Sequence, residues 1–125
     1  MLLIGGTSDG VVAASAIRYG EEAGAPGHDP IERTWSEALP ATTEAWLVLL
    51  ADAGHMLPAG PEDPTSARGF LESPPAADQD HLRTVLIELV TTFFSARLGA
   101  DPEAKVELDR WHDQSRPEIA DIRRR

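Results

Sequence analysis

The sequence predicts an α/β fold, and three observations carry that reading. Leu2-Leu3-Ile4 and Trp46-Leu47-Val48-Leu49-Leu50 are short apolar runs without alternation, as strands buried on both faces read. Between and after them lie segments with helical periodicity. The strongest spans residues 80–98, where Leu82, Val85, Leu86, Leu89, Val90, Phe93, Phe94 and Leu98 recur at three- and four-residue spacing. Strand, helix, strand, helix implies a parallel sheet covered by helices.

Each element has its own signal. The first run is stopped by Gly5-Gly6, and the loop Thr7-Ser8-Asp9-Gly10 leads into an Ala-rich helix over residues 11–22 that closes on Gly24. Pro26, Gly27 and Pro30 mark a loop, and residues 31–39 read as a second helix with Trp35 and Leu39 on one face. The second run ends at Ala53-Gly54-His55. Residues 58–75 are rich in Pro and Gly and read as a long surface loop. Gly99 ends the long helix, and residues 101–125 read as a polar tail with at most one further helical turn over 102–111. The three tryptophans are expected to pack rather than to bind a ligand.

Composition narrows the function classes. A net charge of −10, from 21 acidic against 11 basic residues, argues against a nucleic-acid surface. The basic cluster Arg123-Arg124-Arg125 reads as a solvated tail. There is no cysteine, so neither disulfides nor thiolate metal sites exist, in keeping with a cytoplasmic location. No signal peptide is legible, and no apolar run approaches the roughly 18 residues of a membrane span. His28, His81 and His112 each sit near an acid without the spacing of a metal site, so no metal and no cofactor is expected.

The chemistry concentrates at the ends of the two strands. In parallel sheets, ligands bind at the carboxyl ends of the strands, and there Asp9 and His55 stand, each a few residues past its own strand. If the strands are adjacent, the two side chains converge. A carboxylate beside an imidazole orients it as a general base. Asp9 among glycines also fits a plain turn residue, and His55 a packed loop histidine.

Taken in order, residues 2–12, residues 47–56 with Ala53-Gly54-His55, and the helix closing on Phe93-Phe94-Ser95-Ala96-Arg97-Leu98-Gly99 resemble the α/β-hydrolases. The likeness is to the dienelactone-hydrolase, chlorophyllase and platelet-activating-factor-acetylhydrolase-like esterases. It implies that residues 1–100 are the C-terminal part of such a domain, the last two parallel strands with their covering helices, and that residues 101–125 are a tail. It also implies Asp9 as the triad acid and His55 as the triad histidine of a carboxylic-ester hydrolase.

That family's nucleophile elbow and oxyanion loop precede the acid. Gly6-Thr7-Ser8-Asp9-Gly10 matches G-x-S-x-G literally, but Ser8 as nucleophile would need an acid-bearing strand between it and His55, and no other apolar run lies there. The expectation is a chain inactive alone, acting on a small-molecule ester only with a complementing N-terminal half. The alternative is a non-catalytic module that pairs its open sheet edge with a partner chain.

Overall fold

A computed structural model describes residues 1–15, 29–60, 77–99 and 101–125. The elements run in the order β1 (Leu2–Gly6), α1 (Gly10–Ser15), α2 (Pro30–Arg33), β2 (Trp46–Leu50), α3 (Gln79–Arg97), α4 (Pro102–Asp113) and β3 (Ile119–Arg124). The wide turn Thr34–Ala38 continues α2, and a 3-10 turn, Leu57–Ala59, follows the histidine. The far part of the expected helix over 11–22 and most of the expected loop over 58–75 lie outside the described residues.

The strands form one mixed sheet in the order β1-β2-β3. β1 and β2 are adjacent and parallel, with Leu2 opposite Trp46 and Gly6 opposite Leu50. β2 supplies the core on both faces. Trp46, Val48 and Leu50 pack with Leu82, Val85, Leu89 and Phe93 of α3 and with Leu108 and Trp111 of α4. Ala45 and Leu47 pack with Trp35 on the opposite face, flanked by Leu3 and Ile31. Three layers result, with β2 in the middle one and buried on both faces, and that is why its sequence carries no alternation. All three tryptophans are buried, as expected of packing residues.

Aspartates start the helices. Asp29 accepts from the amides of Ile31 and Glu32, Asp78 from Asp80 and His81, and Asp101 from Glu103 and Ala104. Pro30 and Pro102 occupy the first helical turn, where no amide donor is needed. Part of the chain's acidity is thus committed to satisfying helix starts. The second helix stops where Leu39, preceding Pro40, turns extended at φ −89° and ψ 124°.

The C-terminal segment corrects the expectation of a polar tail. Residues 102–113 form α4, and β3 pairs antiparallel with β2, opposing Val48 with Ile122 and Leu50 with Ile119. The arginine cluster is not a solvated end either. Arg123 pairs with Glu32 of α2, Arg124 with Asp109 of α4, and Arg125 donates to the carbonyl of Trp35. The Arg123 pairing holds Glu32 below the usual carboxylate range, chiefly through the hydrogen bond, and raises Arg123 in turn.

Of the long helix, Leu82, Val85, Leu89 and Phe93 are buried as the periodicity predicts. Phe94 and Leu98 are not: they are 51% and 79% exposed. Among the described residues, no helix is long and apolar enough to cross a membrane.

Candidate active site

β1 and β2 end side by side, and the two loops that leave them are joined at several points. The amide of Thr7 donates to the carbonyl of Leu50 (3.0 Å), and the amide of Ser8 to that of Ala53 (3.1 Å). The hydroxyl of Thr7 accepts from the amide of Asp52 (2.9 Å), a residue at φ 56°. Such close approach requires a glycine. A Cβ at Gly6 would lie 2.0 Å from the carbonyl oxygen of Ala53.

These contacts bring the two expected residues together. Nδ1 of His55 lies 3.1 Å from Oδ2 of Asp9. The other carboxylate oxygen, Oδ1, accepts from the amide of Val12 at 2.8 Å, so Asp9 also caps α1. One oxygen caps the helix and the other meets the imidazole. The Asp9 side chain is 11% exposed and the His55 side chain 36%, so the acid is sheltered and the imidazole accessible. In the tautomer that donates from Nδ1 to the carboxylate, Nε2 carries the lone pair a general base needs.

Downstream of His55 the chain is fixed from α3. Arg83 Nε donates to the carbonyl of Leu57 (3.1 Å), and its guanidinium occupies the space a Cβ at Gly60 would need. Further back, Ala51 donates to the carbonyl of Glu118 ahead of β3 (2.8 Å). Glu118 in turn meets His81 at 2.6 Å. That hydrogen bond raises His81 above the ordinary imidazole range and lowers Glu118.

Thr7, Arg83 and Glu118 escaped sequence reasoning. Thr7 alone carried a signal, a hydroxyl two positions before the acid in a glycine-flanked loop. Of the other histidines, His81 meets Glu118 rather than Asp80, His112 meets Asp113, and His28 lies outside the described residues. No group of three metal-ligating side chains occurs among the described residues.

Asp9 and His55 line a largely apolar groove of about 600 Å³, with Leu3, Ile4, Val12, Ile31, Leu86 and Val90 among its walls. Leu3 and Ile31 belong to one face of the sheet, and Ile4 and Leu86 to the other, so the groove passes around the outer edge of β1. That edge presents backbone groups. Trp46 N–H donates to Met1 O and Thr7 N–H to Leu50 O, which turns the odd-numbered residues of β1 toward β2 and Leu2 and Ile4 outward.

No protein-family profile, no curated protein and no solved structure matches this chain.

Proposed function

We propose that this chain is the acid- and histidine-bearing part of an α/β-hydrolase acting on carboxylic esters. The observation that carries the reading is the 3.1 Å approach of His55 Nδ1 to Asp9 at the carboxyl ends of two adjacent parallel strands, in the order acid before histidine. Supporting it are the resemblance described above and the groove along the β1 edge, where the parallel strand preceding an acid strand would lie.

In this reading Asp9 holds the imidazole, and Nε2 of His55 takes the proton from a serine hydroxyl supplied by a separate segment. The serine oxygen bonds to the ester carbonyl carbon, and the pair of electrons displaced onto the carbonyl oxygen returns to expel the leaving alkoxide. His55 hands its proton to that alkoxide, and water, activated in the same way, releases the acid from the acyl-serine. The chain alone supplies the base and its orienting acid only.

Two experiments test this. Treatment with a nitrophenyl ester is expected to give no burst and no acyl group on Ser8. A stoichiometric adduct there would make Gly6–Gly10 a nucleophile elbow and overturn the assignment. A segment encoding a strand, a G-x-S-x-G turn and a helix is expected either in frame upstream of the Met1 codon or on a separate chain that restores ester turnover when mixed with this one; finding neither would refute the reading in favour of a second.

That second reading, a non-catalytic module whose partner adds a strand to β1, uses the same outward groups of Leu2 and Ile4. It predicts a monomer with a cooperative melt in the absence of any upstream half.

A further inference from the structure

The histidine loop turns through a residue of unusual conformation. Asp52 adopts φ 56°, a left-handed setting that asparagine and aspartate tolerate better than most side chains but that still needs support. It stands three residues before His55, so the direction in which the chain leaves this turn decides where the imidazole arrives. Gln79 of α3 reaches the Asp52 carbonyl at 3.4 Å, and the shorter contact comes from the neighbouring loop. The amide of Asp52 donates to Oγ1 of Thr7 at 2.9 Å, and Thr7 belongs to the loop that presents Asp9.

The neighbouring links between the loops, Thr7 N–H to Leu50 O and Ser8 N–H to Ala53 O, run backbone to backbone. They survive any substitution of the Thr7 side chain. The hydroxyl acts on the Asp52 peptide alone, and its contribution is separable from the strand pairing. We propose that Thr7 is a positioning residue that sets His55 against Asp9 by holding the Asp52 turn; the proposal rests on the reading of Asp9 and His55 as an acid–histidine pair. Because the same three-residue loop between β1 and α1 carries both the hydroxyl and the carboxylate, the acid and the geometry of its partner are delivered together.

The test is the tautomer of His55, read from its ring nitrogen shifts in the full ¹⁵N-labelled chain at about pH 8.5, above the ordinary imidazole range. In wild type the Nδ1–H form, which donates to Asp9, is expected to predominate, and in Asp9→Asn to give way to the Nε2–H form that water favours. Thr7→Val keeps the shape and removes the hydroxyl. It is expected to shift the ring toward Nε2–H and to speed exchange of the Asp52 amide about tenfold, the worth of one lost hydrogen bond. Thr7→Ser is expected to restore both.

A wild-type tautomer and unchanged Asp52 exchange in Thr7→Val, with Asp9→Asn still shifting the ring, would overturn the role of Thr7 and leave the pair standing. An unchanged tautomer in Asp9→Asn would overturn the pair itself, and Thr7 with it. Should Thr7→Val not fold, Thr7→Ala gives the same readings without the branched methyl.

Discussion

Two consecutive glycines in β1 permit a comparison in which the sequence neighbourhood is nearly constant and the surroundings are not. A Cβ at Gly6 would stand 2.0 Å from the carbonyl oxygen of Ala53, 2.7 Å from its carbonyl carbon and 2.9 Å from its Cβ. To reach the 3.4 Å of ordinary contact, the acid and histidine loops must separate by about 1.4 Å. The obstacle is backbone, so no side-chain rotation relieves it. A shift of that size opens the 3.1 Å bond from Ser8 to Ala53 beyond hydrogen-bonding range. Overpacking of this kind costs about 1–3 kcal/mol, and the lost bond about 1 kcal/mol more. Gly6→Ala is therefore expected to lower the unfolding free energy by about 2–4 kcal/mol. At Gly5 the first obstacle is the terminal methyl Cδ1 of Ile31, at 2.1 Å, which can rotate aside. Gly5→Ala should cost about 1 kcal/mol or less, the scale of one off-rotamer torsion. Urea unfolding of both variants measures the difference. A Gly6→Ala cost no larger than that of Gly5→Ala would show that the two loops are not in the close contact on which the site depends.

The remaining expectations concern the supporting structure. His81 is raised by its hydrogen bond to Glu118, so its contribution is full below the ordinary imidazole value of 6.5 and is lost as pH rises through the raised value; Glu118 is lowered, so its contribution holds above the ordinary carboxylate value of 4.5 and fades as pH falls further. His81→Gln should thus be most destabilised relative to wild type near about pH 5.5 and should converge with it as pH rises through the raised His81 value, and a pH-independent gap in urea midpoints would refute the pairing. Leu89 is fully buried in the core cluster that β2, α3 and α4 share, and Leu89→Ala should cost about 2–5 kcal/mol, whereas the exposed Leu98→Ala should stay within about 0.5 kcal/mol; equal costs in thermal melts would contradict the packing of α3.

How much of this was legible depended on whether a residue pattern survives its own backbone. β2 was readable because both its faces are buried, and α3 because its apolar stripe keeps helical spacing. β3 was not, for a geometric reason. Ile119 and Ile122 both face the core side with Leu50 and Val48, yet they are three apart, and in a regular strand three places put side chains on opposite faces. The irregularity opposite Leu49 and Leu50 absorbs the extra residue. A strand that keeps one face only by bulging shows no period of two in its sequence, and its three arginines then read as a free end. Their partners Glu32, Asp109 and the Trp35 carbonyl belong to other elements, which no local pattern announces.

The meeting of Asp9 and His55 was legible for a different reason, and only in part. Among the described residues, four aspartates accept amides at helix starts: Asp9, Asp29, Asp78 and Asp101. Residue type and capping role do not distinguish Asp9 from the others. What distinguishes it is that its helix follows a strand lying parallel to a second strand whose own loop carries a histidine, so that the oxygen not used by the cap meets an imidazole. Strand order was therefore the informative quantity, and it could be read from two apolar runs. The residues that refine the geometry, Thr7 through the Asp52 amide and Arg83 through the Leu57 carbonyl, act on backbone groups. A backbone group has no letter in a sequence. Side chains that act on side chains can be guessed from residue types and spacing, while those that act on peptides become visible only when the turn they hold, here one left-handed aspartate, has been placed in space.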